Sequence, residues 1–220
     1  MESSGTIVLV SDSIRSHRAV AGPTLAAMQA AGFPMGAEQL AVDLADTLVT
    51  VTDPPTDLIA GQADSDRFWR LQDALLPPGW AAPAAERTRL LRDAVRRLLD
   101  AAERGGPVDE GALATINAAA AAAQPEPALE LAEGELRRVD LWRSGDPADL
   151  ALAAAARAAI DVLTDPDLRA RLRRCASSAC SMLYVRGDAR RRWCTPNVCG
   201  NRDRVARHYR RHRAATGEGA

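Results

Sequence analysis

Apolar residues recur at helical spacing in several separate stretches of this chain. Leu40, Leu44, Leu48 and Val51 repeat every three to four residues until Pro54 and Pro55 break the pattern, which predicts a helix with Asp43 and Asp46 near one face. A longer helix is predicted over about 84–104, with Leu91, Val95, Leu98 and Ala102 as its apolar stripe and Arg89, Arg92, Arg96 and Asp100 outside it. Gly105 and Gly106 stop it, and Pro107 opens another that carries Leu113 and Ile116 into an alanine run at 118–123. Asp146-Pro147 and Asp165-Pro166 each pair a cap with a first-turn proline, predicting helices that end near Leu163 and Arg174.

Between 127 and 143 the period changes to alternation. Leu129 and Leu131 precede Glu133-Gly134, and Val139 and Leu141 follow it, which reads as a hairpin. Residues 6–10 read as a short strand and 23–31 as a short helix stopped by Gly32. The polar segment 57–71 is anchored by Phe68, Trp69 and Leu71, and Pro77, Pro78, Gly79 and Pro83 mark a loop after it. The expected class is α+β, mainly α: a helical body with a small antiparallel hairpin.

Composition adds a division that the hydrophobic pattern does not show. All 28 basic residues are arginine and 45 of the 220 residues are alanine, so arginine content by itself says little. Residues 1–168 hold 14 arginines and 26 acids, whereas residues 169–220 hold 14 arginines and three acids, so the formal charge of −1 conceals an acidic body and a basic end. Such asymmetry points to a polyanionic partner for the basic part, a solvated terminus being the plainer alternative. No apolar run reaches the ~18 residues that span a bilayer, and residues 7–10 are too short for a secretory core. The expectation is a cytoplasmic protein without membrane contact, in which reduced thiols favour metal binding over disulfides.

All four cysteines fall in the basic end, as Cys175-x4-Cys180 and, after thirteen intervening residues, Cys194-x4-Cys199. Two close pairs separated by a short excursion suit a tetrahedral site, with one structural Zn²⁺ ahead of an iron-sulfur cluster. A disulfide pair or unligated thiols are the alternatives. His208 and His212 have a spacing that also binds zinc, but a mixed site would leave two cysteines spare. His17 stands alone. After Cys199 a helix is expected over about 202–213, with arginines round most of its circumference and Val205, His208, Tyr209 and His212 as its only inward stripe. Arg190, Arg191, Arg192, Arg202, Arg204, Arg207, Arg210 and Arg211 are the candidate phosphate contacts.

The residues around the cysteines carry a resemblance. Arg171-Leu172-Arg173-Arg174-Cys175, Cys180, Arg191-Arg192-Trp193-Cys194 and Cys199-Gly200-Asn201-Arg202, followed by Ala206-Arg207-His208-Tyr209-Arg210-Arg211-His212-Arg213, resemble the CGNR zinc finger. Upstream, Leu40-Ala41-Val42-Asp43-Leu44-Ala45-Asp46-Thr47 is similar to the Leu-x-Leu-Asp-x-x-Asn-Thr opening of the ABATE domain, as are Leu91-Arg92-Asp93-Ala94-Val95 and Ile116-Asn117. Asp46 stands where the pattern has Asn, and Asp188-Ala189-Arg190 replaces an Asp-x-Ser-Arg run. The resemblance implies Cys175, Cys180, Cys194 and Cys199 as zinc ligands, Trp193 beside the third, and the role of a stress-induced transcription regulator.

The division expected is an N-terminal extension over 1–35, an ABATE-like helical body over 36–168, a CGNR-type finger over 169–213 ending in a basic helix, and a disordered tail over 214–220. The function expected is DNA binding by the finger, with the body sensing a small-molecule effector or forming a homodimer. An RNA-binding or protein-interaction module is the alternative. An enzyme is not expected, since no glycine-rich phosphate loop, nucleophile elbow or HExxH motif occurs. Asp43, Asp46 and Thr47 stand as a ligand or structural motif, with surface or capping roles the commoner use of such carboxylates. Chelation is expected to unfold the finger alone.

Overall fold

The computed structural model describes residues 7–8, 22–34 and 39–216, with side chains over 22–34 and 39–209; His17, His212 and the tail beyond 216 lie outside these. The body contains α1 (Leu25–Ala30), α2 (Leu40–Ala45), α3 (Gln62–Leu71), α4 (Ala85–Arg104), α5 (Glu110–Ala122), α6 (Pro147–Thr164) and α7 (Pro166–Arg171). A short strand β1 (Ile7–Val8) joins a hairpin of β4 (Gln124–Ala132) and β5 (Glu135–Arg143), in the order β1-β5-β4, all antiparallel. A two-stranded ribbon of β2 (Leu48–Val49) and β3 (Thr56–Asp57) follows α2. The finger contributes β6 (Leu172–Arg174), β7 (Leu183–Val185) and α8 (Asn201–Thr216). The expected α+β, mainly α, class is what the chain adopts.

Helix α6 is the centre of the body and packs against α2, α4, α5 and α7. Ala151, Ala153, Ala155, Ala156 and Ala159 are fully buried on it, and side chains this small let neighbouring helices approach closely from several sides. Asp146 starts it by accepting from Ala148 N, and Asp165 does the same for α7 from Asp167 N and Leu168 N, so both cap-plus-proline signals are real starts. The core continues into α4 through Leu91, Val95, Leu98 and Leu99, and into α3 through Phe68 and Trp69. Trp69 donates its indole N–H to Thr88 Oγ1 at 3.0 Å, which satisfies its polar atom inside the core.

Several expectations give way here. The helix starting at Leu40 does not run to Val51. It ends at Asp46, and Thr47, whose hydroxyl donates to Leu44 O at 2.7 Å, starts a run rich in β-branched residues that turns into β2. Arg92 and Arg96 do not lie on a solvated face of α4; both are buried. Met28 and Phe33, set apart in the N-terminal extension, are buried in the body's core, with Phe33 edge-on to Phe68. Residues 172–174 leave the helix for a strand, and α8 continues through 214–216, which were assigned to a disordered tail.

The β4–β5 hairpin turns at Glu133 and Gly134, with φ of 53° and 82°, the pair of positive values that a two-residue turn of matching twist needs. Its register pairs Ala132 with Glu135, so residues 125, 127, 129 and 131 of β4 face their backbone outward, and prolines at 125 and 127 remove two of those donors. Leu129, Leu131 and Leu136 near the tip are exposed, while Trp142 at the base packs on Ala123, Leu150 and Ala153.

Burial and exposure predict opposite outcomes for two apolar truncations. Ile116→Ala in α5 should cost about 2–5 kcal/mol of unfolding free energy, whereas Leu131→Ala at the hairpin tip should stay within about 0.5 kcal/mol of wild type; urea denaturation checks both.

Candidate metal centre and its basic helix

The finger is built on a short ribbon in which Leu172, Arg173 and Arg174 pair with Val185, Tyr184 and Leu183. Just beyond it, Cys175 N donates to Met182 O at 2.9 Å, and Cys180 N donates to Ser177 O at 3.1 Å, folding the first cysteine pair into a knuckle. Of the second pair, Cys194 precedes and Cys199 lies on the π-helical turn Pro196–Gly200, where Cys199 N and Gly200 N both donate to Thr195 O, at 3.0 and 3.2 Å. Ala176 N donates to Arg192 O at 2.9 Å and binds one knuckle to the approach of the other. Gly200 lies against the Trp193 indole, which a Cβ there would meet at 3.4 Å.

All four sulfurs lie within 4.8 Å of one another. Cys194 Sγ is 3.7 Å from both Cys180 Sγ and Cys199 Sγ. Zn–S bonds of about 2.3 Å in a tetrahedron imply sulfur–sulfur edges of about 3.8 Å, so the donor set fits one zinc ion with no open position, and at these separations the cysteines are free thiols. Among the described residues His208 is not part of the cluster, and the four cysteines form it by themselves. Without metal the thiols compete for charge. Hydrogen bonds from Cys180 and Cys194 hold the Cys175 thiolate down to about 2, while sharing with Cys175 pushes Cys180 up to about 12 and Cys194 well above the ordinary thiol range. Zinc must displace those protons to bind.

Two family models match the chain, one described as "Putative stress-induced transcription regulator" over residues 38–166 and the CGNR zinc finger over residues 171–212. The chain belongs to the ABATE family. Its CGNR finger supplies Cys175, Cys180, Cys194 and Cys199 for a single structural zinc. A comparison with curated proteins gave no match. Among the described residues no helix is long and apolar enough to cross a membrane.

The basic side chains divide into two groups. Arg191 is engaged within the finger: it stacks at 4.5 Å over the Tyr184 ring and donates to Trp193 O at 3.1 Å and Cys194 O at 2.6 Å, while the Tyr184 hydroxyl donates to Arg191 O at 3.0 Å. Arg202 of the CGNR tetrapeptide reaches Ala179 O at 3.3 Å and ties the start of α8 to the first knuckle. Arg190, Arg192, Arg204 and Arg207 are exposed, Arg207 pairing with Asp203 at 3.2 Å and Arg190 lying 3.7 Å from Asp188. Arg210 and Arg211 lie on the last turns of α8, beyond the described side chains. The inward stripe expected for α8 is not formed, since Val205, His208 and Tyr209 are exposed and the helix packs mainly on the π turn.

Asp43 and Asp46 are fully buried rather than on the surface. Asp43 lies 3.4 Å from Gln72 Nε2 in the core. Asp46 accepts Arg96 Nη1 at 3.1 Å and, through both oxygens, Leu183 N of the finger at 3.0 Å. Thr47 caps α2. Thr50, Ser181, Tyr184, Arg174 and Asp100 hold the finger together or in place, roles that their positions in the sequence do not announce. The short apolar run Leu183-Tyr184-Val185 is the local signal that could have placed Tyr184 on a buried strand.

Because Cys180 and Cys194 hold their protons at neutral pH, zinc affinity should weaken as pH falls, and proton release on zinc binding should be measurable by titration in weakly buffered solution. Cys194→Ala should lower bound zinc from one per chain to well below one, measured by atomic absorption after dialysis.

Proposed function

We propose that this protein is a zinc-dependent regulator that binds duplex DNA through its finger, acting in the reducing cytoplasm, with the helical body serving for dimerisation or effector binding. The carrying observation is the exposed arginine set, Arg190, Arg192, Arg204 and Arg207, on a module closed by four thiols, with α8 projecting from it. A metal-held scaffold fixes such a surface before the partner arrives, so less ordering entropy opposes binding. Arginine contacts to phosphate release counterions, and a guanidinium aimed at a guanine edge adds sequence choice.

Binding is favoured over catalysis. The Asp43 and Asp46 pair is buried, with Asp46 committed to Arg96 and Leu183, and four cysteines close the metal sphere. Exposed Tyr209 supports a second reading, single-stranded nucleic acid, since an aromatic on a basic helix offers a stacking platform.

Zinc-loaded protein should bind duplex DNA with log K falling linearly in log salt, by about 0.9 per phosphate contact. Arg204→Gln and Arg207→Gln should each flatten that slope by about one contact without loss of zinc. A salt series on duplex, single strand and RNA checks this. Equal or stronger binding to single strands favours the second reading, and absence of salt-sensitive binding to any of them ends both.

A further inference from the structure

Three backbone or hydroxyl groups immediately after the ligand Cys180 are held by the helical body. Ser181 O accepts from Arg96 Nη2 at 2.6 Å, Ser181 Oγ accepts from Thr50 N at 2.9 Å, and Leu183 N donates to both Asp46 oxygens at 3.0 Å. The holders are themselves buried and mutually bonded: Arg96 pairs with Asp46 and Asp100, and reaches Ala45 O at 3.4 Å. Arg174, next to the ligand Cys175, closes the other side of the same knuckle. It donates to Ser181 O at 3.1 Å, bonds Asp100 and lies 3.6 Å from Glu103, both on α4. Leu172, Met182 and Leu183 of the finger are buried in the same core as α2 and α4.

We propose that Asp46 and Arg96 are positioning residues for the zinc site, so that the metal is thermodynamically coupled to α2 and the second half of α4 rather than to a separately melting finger alone. The argument is linkage. A bond network that orients Cys175 and Cys180 raises zinc affinity, and zinc must then stabilise the network by the same factor. Loss of zinc frees the knuckle and withdraws Ser181 O and Leu183 N from a buried carboxylate and guanidinium. The consequence enters the body at α2 and the second half of α4. This holds whatever polyanion the finger meets.

The experiment uses the full chain. Hydrogen exchange read by mass spectrometry, with and without a chelator, should show amides of residues 40–46 and 92–100 exchanging at least about tenfold faster once zinc is removed. Faster exchange confined to 172–216 overturns the proposal. Asp46→Ala should weaken zinc binding by about 10- to 100-fold in competition with a chromogenic chelator, the range typical of groups that orient metal ligands. Asp46→Asn should recover part of it, because an amide oxygen still accepts Leu183 N–H. Ile116→Ala, destabilised but remote from the knuckle, should bind zinc as wild type does. Wild-type zinc affinity in a folded Asp46→Ala protein, or an equal loss in Ile116→Ala, overturns the assignment. Should Asp46→Ala fail to fold, the wild-type exchange measurement decides alone.

Discussion

The buried pair of Asp46 and Arg96 is the constraint on which the arrangement of this molecule rests. Withdrawing a carboxylate and a guanidinium from water costs several kcal/mol per ion, and their attraction offsets this only when the remaining donors and acceptors are used. Here they are: Arg96 reaches Asp46, Asp100, Ala45 O and Ser181 O, and Asp46 also accepts Leu183 N. Part of that set belongs to the finger, so the pair is fully satisfied only when the finger is docked. Removing one partner leaves a buried charge worth about 3–5 kcal/mol of destabilisation. That asymmetry makes the joint between finger and body close to all-or-none.

Most of the helices and the metal site were legible because each announces itself locally. A cap followed by proline started α6 and α7 where expected, and four cysteines in two pairs came together as their spacing implied. What stayed illegible was non-local. Arg92 and Arg96 sit one turn apart on the polar side of α4, where periodicity predicts solvent. Their partners lie 35 residues away at Asp57 for Arg92, and 50 and 85 residues away at Asp46 and Ser181 for Arg96, and only folding brings them near. The side of α4 that looked solvated is an interface. Conversely, the apolar positions of α8 suggested a buried stripe, but among the described residues no element covers Val205 and Tyr209, which are exposed.

The charge division between body and finger serves two ends that the sequence totals cannot separate. Arg174 meets Asp100 and Glu103 of the acidic body, which makes part of the asymmetry an attraction within the molecule. Arg191 is spent inside the finger, stacked on Tyr184 and donating to the carbonyl of a zinc ligand. Arg190, Arg192, Arg204 and Arg207 are among the arginines left facing outward. The excess of 14 arginines over three acids in residues 169–220 therefore overstates what a partner meets.

The connections then form a series with the metal in the middle. The body grips the first knuckle through Ser181 and Leu183, and the first knuckle shares zinc with the second. The second passes through the π turn into α8. Besides the metal, the knuckles are linked by Ala176 N to Arg192 O, by Arg202 to Ala179 O, and by Tyr184, which donates to Arg191 O and stacks under its guanidinium. Hydrogen bonds of this kind contribute about 1 kcal/mol each, whereas a structural zinc in a small finger contributes about 10–16 kcal/mol at neutral pH. The direction in which α8 projects from the body is thus set chiefly by the metal, which joins it to a first cysteine pair bonded to α2 and α4.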